Sequence, residues 1–254
     1  MNEAWTQRDS RIRFEWGPTG AGAVAVGAAF VAVVDVLSFT TTLSVAVDLG
    51  ISVLPYRWRD GSAARVAAEQ DAVLAVGRRE VVAPGQVSLS PATLRGVSGV
   101  ERLVLPSPNG ATVAAGLAEG GARLVGVSLR NAEAAARWVA RQVGADDVVA
   151  VVAAGERWPD RSLRPAVEDL WGAGAFISAL VGAGLRGHSI EAGAAVCAYE
   201  SVAGSVPTAL GDCASGRELI AHGFPEDVAS ASEVGSASAV PVLSDGWFVA
   251  ASDG

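Results

Sequence analysis

The segment that most constrains the fold is Phe30–Leu37, FVAVVDVL, which is apolar at every position except Asp35 and runs directly into Ser38-Phe-Thr-Thr-Thr. A strand with one wet face alternates apolar and polar residues. A run without alternation belongs to a strand covered on both faces, as in parallel sheets flanked by helices. The hydroxyl-rich start at Ser38 and the stop at Gly50 bracket a helix directly after it. The pattern then repeats. Ile51–Leu54 reads as a strand, Gly61–Gln70 as a helix and Ala72–Val76 as a strand. Arg102-Leu-Val-Leu-Pro-Ser-Pro-Asn-Gly110 reopens the unit, with a helix over Ala111–Glu119 and a strand over Ala122–Val127. A helix opened by Arg130 and Asn131 reaches Gln142, Asp147–Ala153 is a buried-type strand, and Ala166–Val181 is a long helix. Helical stretches follow at Glu191–Ala203, Gly216–His222 and Pro225–Val234, then a hairpin or strand over Val240–Val249. Strands alternating with helices at this spacing predict an α/β chain, three-layer α/β/α with a largely parallel sheet. The reading is a single domain over residues 1–254, in which Asp35–Gly50 and Leu105–Gly120 are a weak internal echo. The long irregular segment from Arg78 to Leu103 is the expected active-site cover.

Composition removes several chemistries. All nineteen Lys+Arg residues are Arg, which excludes a P-loop lysine, a pyridoxal Schiff base and a lysine-based aldolase. The net charge of −8 argues against nucleic acid as a partner. Two cysteines, Cys197 and Cys213, are too few for a disulfide framework, and Cys213-Ala-Ser-Gly-Arg217 has the wrong spacing for a cysteine phosphatase. His188 and His222 alone cannot build a multi-histidine metal site. The polar, charged start is unlike a secretory signal, and Gly17–Val34 reads as a short helix and a buried strand, not a membrane span. The expectation is a soluble, cytoplasmic protein with no membrane partner. The Ala/Gly-rich helices Ala166–Gly184 and Glu191–Ala203 suit close packing, either inside the chain or across a homodimer interface.

Ligands of parallel α/β sheets bind outside the carboxyl ends of the strands. Four such ends carry chemistry here. Asp35 is a carboxylate in an apolar strand, costly without a metal or partner, and it precedes the hydroxyls of Thr40 and Thr41. Ser107-Pro-Asn109-Gly110 is a rigid turn that points backbone N–H groups outward at a helix start, a natural anion site. Ser128-Leu-Arg130-Asn131 offers a hydroxyl, a guanidinium and an amide. Gly155-Glu156 with Glu168-Asp169 adds carboxylates. Carboxylates with few histidines suit a hard cation such as Mg²⁺, and helix starts with Arg suit a phosphate. That pairing is the chemistry of metal-assisted phosphoryl transfer.

Five stretches in matching order, Val33-Val-Asp-Val-Leu-Ser-Phe-Thr-Thr41, Ser107-Pro-Asn-Gly-Ala-Thr112, Ser128-Leu-Arg-Asn-Ala132, Gly155-Glu-Arg157 and Glu168-Asp-Leu-Trp-Gly-Ala-Gly174, resemble the 2-phosphosulfolactate phosphatase (ComB-type) family. The resemblance spans roughly Phe14 to Leu185. It implies an α/β/α fold and a Mg²⁺-dependent acid phosphatase that converts 2-phospho-3-sulfolactate to 3-sulfolactate and phosphate, a step of coenzyme M biosynthesis. Two departures stand out. Ser38 replaces an Arg common in the family, and Gly77-Arg-Arg79 with Gln86–Pro91 replaces a segment that usually carries a carboxylate. Arg78 or Arg79 is the candidate replacement for the missing positive charge.

On this reading Asp35 is the nucleophile or a metal ligand, and Glu168 a catalytic general base or part of the metal shell. Asp35, Glu156 and Asp169 hold Mg²⁺. Thr40, Thr41, Ser107, Asn109 and Gly110 hold phosphate, with Arg130 and Asn131 on the anionic tail of a small phosphorylated substrate. The haloacid-dehalogenase route is disfavoured, because Leu37 stands where it wants an acid. A catalytically silent ligand-binding protein of the same fold is the alternative. A dinucleotide-binding oxidoreductase is disfavoured by the missing Gly-rich fingerprint after the first strand.

Overall fold

The computed structural model describes residues 2–57, 60–83 and 85–252. Its elements, in chain order, are β1 (Ile12–Trp16), α1 (Gly17–Val24), β2 (Phe30–Val34), α2 (Phe39–Asp48), β3 (Ser52–Tyr56), α3 (Gly61–Glu69) and β4 (Val73–Leu74). Next come α4 (Pro91–Leu94), β5 (Arg102–Pro106), α5 (Gly110–Leu117), β6 (Arg123–Val127), α6 (Ala132–Gln142) and β7 (Val149–Ala153). A small ribbon of β8 (Glu156–Arg157) and β9 (Leu163–Arg164) leads to α7 (Val167–Gly182). The chain continues through α8 (Ile190–Glu200), α9 (Val206–Asp212), α10 (Ala214–Ala221) and α11 (Pro225–Ala231) to the hairpin β10 (Pro241–Ser244) and β11 (Trp247–Ala250).

Nine strands form one sheet in the order β1-β7-β2-β6-β10-β11-β3-β5-β4. β1, β7, β2 and β6 are mutually parallel, as are β3, β5 and β4. The hairpin joins the two blocks through antiparallel pairings of Val242 with Val125 and of Phe248 with Val53. The expected three-layer α/β/α architecture with a mostly parallel sheet is therefore present. β2 is buried at every position, which is why its sequence shows no alternation. Phe30, Ala32 and Val34 face the helices α6, α7 and α8, while Val31 and Val33 face Ala21 and Val24 of α1 and Val113 of α5. The second block packs Val53, Leu103 and Leu105 against Phe39 and Leu43 of α2 and Ala114 of α5.

β1 is absent from the sequence reading because Arg13 and Glu15 break its apolar run. The break is satisfied internally. Arg13 is buried, and its guanidinium donates to the carbonyls of Val24, Val26 and Arg8 at 3.3, 3.1 and 3.2 Å. α9 was also unforeseen; Pro207 sits in its first turn, where a missing N–H costs nothing. Among the described residues no helix is long and apolar enough to cross a membrane.

The small residues of α7 and α8 meet one another within the chain. A Cβ added at Gly174 would lie 2.0 Å from the carbonyl oxygen of Ala195. Gly174→Ala therefore forces two helix backbones apart and is expected to lower the unfolding free energy by about 1–3 kcal/mol in urea titrations. Gly182→Ala, where a Cβ meets nothing within 4 Å, is expected to leave stability unchanged or raise it by up to about 1 kcal/mol.

Candidate active site

The site begins where β2 ends. The turn from Asp35 to Ser38 has backbone groups that no strand or helix can satisfy, and the following hydroxyls take them up. Thr40 Oγ1 donates to the Asp35 carbonyl at 2.8 Å and accepts from the Asp35 amide at 3.0 Å. Thr41 Oγ1 donates to the Val36 carbonyl at 2.7 Å, and Thr42 Oγ1 to the Leu89 carbonyl at 3.0 Å. Thr40 and Thr41 are fully buried and committed to the backbone. The expectation that they hold phosphate is corrected: they shape the turn that presents Asp35.

The Asp35 carboxylate lies at the starts of two helices. Oδ1 accepts from the Phe39 amide of α2 at 3.2 Å and Oδ2 from the Gly110 amide of α5 at 2.8 Å. Both helix dipoles favour negative charge there. Only glycine fits at position 110, since a Cβ would lie 2.4 Å from the Phe39 ring and 2.8 Å from Asp35 Oδ2. The Gly110 amide, expected to bind phosphate, is thus occupied by Asp35. Burial pushes the Asp35 carboxyl up to about 6, the Gly110 and Phe39 amides pull it back, and the negative charge of Glu168 raises it again.

Glu156 follows β7 across Gly155, whose φ of +66° lets the chain turn sharply. Asn109 Nδ2 donates to Glu156 Oε2 at 2.9 Å, so the ends of β5 and β7 meet here. Burial first, and the charge of Asp35 second, push Glu156 up to about 7. Behind it, Asp169 accepts from the Val36 amide at 2.7 Å and the Gly155 amide at 2.9 Å, clamping the loops after β2 and β7. Burial and the charges of Asp35 and Glu168 hold the Asp169 carboxyl well above the usual range. Glu168 is buried beside Cys213, whose thiol donates to the Leu210 carbonyl at 3.3 Å and is pushed up to about 11 by burial and by the Glu168 charge.

A cavity of about 320 Å³ opens above Asp35. Its polar lining includes Asp35, Ser38, Arg78, Ser107, Asn109 and Glu156, with Leu37, Phe39, Leu89 and Leu105 as apolar wall. The volume lies at the small end of ligand pockets and suits a compact metabolite. Ser215, Glu218, Leu219, His222 and Phe224 close another side. These C-terminal residues were not foreseen. No strand end or turn motif marks them, and His222 reads in sequence as a surface or satisfied core residue. The segment from Arg78 to Leu103 contributes Arg78 and Leu89 to the wall, and of the two candidate arginines it is Arg78, not Arg79, that lines the cavity.

Other expected site residues lie elsewhere. Arg130 is buried against Glu233 and lies 3.7 Å from Asp48, and Asn131 holds the loop after β6, donating to the Gly126 carbonyl at 3.0 Å and accepting from the Ser128 amide at 2.8 Å. Neither lines the cavity, so their assignment to the substrate tail is corrected. Glu168 and Asp169 are likewise absent from its wall. Among the described residues no three His, Cys, Asp or Glu side chains are placed to share a metal ion. The triad Asp35, Glu156 and Asp169 is therefore not a preformed cage. Mg²⁺ is commonly held by one or two carboxylates, completed by water and substrate phosphate oxygens. Asp35, with Glu156 beside it, fits that mode.

A family model described as 2-phosphosulpholactate phosphatase matches residues 23–246, which takes in every strand end described above. The chain belongs to this family. The 2-phosphosulpholactate phosphatases are phosphomonoester hydrolases. Compared by sequence with curated proteins, the chain has no significant match.

The raised carboxyls fix the sign of a pH effect in this member of the family. Asp35 and Glu156 hold protons more tightly folded than unfolded, so between about pH 4 and 7 the folded chain binds more protons and stability falls as pH rises. Glu156→Gln removes one such penalty. In thermal unfolding of the metal-free protein, its Tm relative to wild type is expected to shift upward between pH 5 and pH 8. A constant difference would show that Glu156 titrates normally.

Proposed function

We propose that the chain is a Mg²⁺-dependent phosphatase that hydrolyses a small, multiply anionic 2-phospho-hydroxy acid, 2-phosphosulfolactate or a close analogue, to the hydroxy acid and phosphate. One observation carries this reading: two carboxylates with raised proton affinity, Asp35 and Glu156, share the wall of a small cavity with the guanidinium of Arg78. Such a site pairs a proton-transfer group with a positive charge for a phosphoryl group.

Asp35 would hold Mg²⁺ with a carboxylate oxygen, and the ion when bound neutralises charge on the phosphoryl oxygens. Glu156, close to neutrality in its proton affinity, takes the proton from a water molecule as its oxygen bonds to phosphorus. The phosphorus–oxygen ester bond breaks, and the departing alkoxide recovers that proton to leave as the hydroxy acid. Both Asp35 oxygens already accept amide N–H bonds, which draws charge from them and favours water over Asp35 as the attacking group. Asn109 keeps Glu156 oriented, and the apolar wall of Leu37, Phe39 and Leu105 limits bulk water around the ester.

Phosphate release from a panel of phosphomonoesters, with Mg²⁺ and with chelator, tests the reading. Asp35→Asn is expected to cut turnover by at least about a hundred-fold, since it removes charge aimed at the reacting group. Full activity in that variant, or turnover indifferent to chelator, would contradict the assignment.

A further inference from the structure

We propose that Arg78 grips an oxyanion of the substrate and that Asp227, from α11, aims it. The proposal rests on the phosphatase reading of this cavity. The cavity wall carries Asp35, Glu156 and Glu218, with Glu168 and Asp169 behind it, and a multiply anionic ligand cannot enter such surroundings without a cation. Among the described residues lining it, Arg78 is the only one that is always charged.

The guanidinium is built into place. Arg78 Nε donates to Asp227 Oδ2 at 2.6 Å, and Nη2 donates to Ser38 Oγ. Asp227 is 1% exposed, and its other oxygen, Oδ1, accepts from the Ser90 hydroxyl. The Asp227 carboxylate is therefore fixed at both oxygens, and the Arg78 fork is fixed with it. Phe224 lies 5.9 Å from the guanidinium carbon. The Nη1 amino group makes no hydrogen bond among the described residues, and the side chain keeps 19% exposure beside the cavity. A held fork with one free amino edge is the arrangement that binds phosphate, sulfonate or carboxylate oxygens in a defined orientation. A purely structural ion pair between the cover segment and α11 would have no need to line the cavity with its arginine.

Inorganic phosphate binding to the intact protein, by calorimetry, gives a readout independent of turnover. Arg78→Ala is expected to weaken phosphate affinity by about ten- to a hundred-fold and to raise KM far more than it lowers kcat, with a lowered Tm because the buried Asp227 carboxylate loses its partner. Asp227→Asn should raise KM by a smaller factor, because the fork is present but no longer aimed. Arg78→Lys should restore little, since a lysine lacks the fork. Comparing a plain aryl phosphate with a substrate carrying a second acid group identifies the oxyanion held. Equal KM increases place the phosphoryl group on Arg78, and a selective increase places the second acid there. Should Arg78→Ala fail to fold, Arg78→Gln serves the same comparison. Wild-type phosphate affinity and KM in the Arg78 variants would overturn the proposal. Phosphate binding that depends on Arg78 in a protein with no phosphomonoester turnover would instead refute the phosphatase reading and uphold Arg78 as an anion grip.

Discussion

The hydrogen bond from the Gly110 amide to the Asp35 carboxylate joins the ends of two strands that belong to different parallel blocks of one sheet. β2 and β5 are separated in the sheet by four strands, yet the residues after them touch. A single side chain thereby satisfies the first amides of α2 and α5. Everything around it follows from that shared terminus. Position 110 must lack a Cβ because the Phe39 ring lies close against it, and the Ser107–Asn109 turn is carried to the edge of the cavity. The carboxylate is a structural pin that also faces the cavity, and the same burial that makes two amides its partners raises its proton affinity.

A second constraint is charge. Four carboxylates gather around the ends of β2 and β7, and the charges of Asp35 and Glu168 raise the proton affinity of their neighbours. Asp169 is tolerated because two backbone amides donate to its oxygens. Asp35 and Glu156 remain on the cavity wall with charge to be answered from outside, by a cation or an arginine. Backbone amides occupy both oxygens of Asp35 and of Asp169 alike, so what separates the two pairs is that only Asp35 and Glu156 reach the cavity wall.

Much of this was legible in the sequence. The unbroken apolar run of β2 announced a doubly covered strand, and Asp35 within it announced a site. The Asn109-Gly110 turn and Glu156 were found by the same logic of strand ends. The misreadings share a cause. Thr40, Thr41 and Arg130 were assigned by chemical type, but a hydroxyl or guanidinium near a strand end serves equally to satisfy a buried carbonyl or carboxylate. Only geometry separates the two uses: Thr40 turns to the Asp35 backbone, and Arg130 turns to Glu233. The Asp227–Arg78 pair was beyond reach for another reason. Its partners are 149 residues apart, and no local pattern in α11 hints at a partner in the cover segment.

The hairpin of β10 and β11 has a consequence for how the molecule is made. Residues 241–250 are translated after every other strand, yet they occupy the centre of the sheet, between β6 and β3. While a ribosome is still completing the chain, each parallel block has one raw inner edge and nothing to join it to the other. Such edges are templates for pairing with other chains. Until residues 241–250 are available, β6 and β3 have no strand to pair with on their inner sides, which makes those edges the part of the fold most open to mispairing.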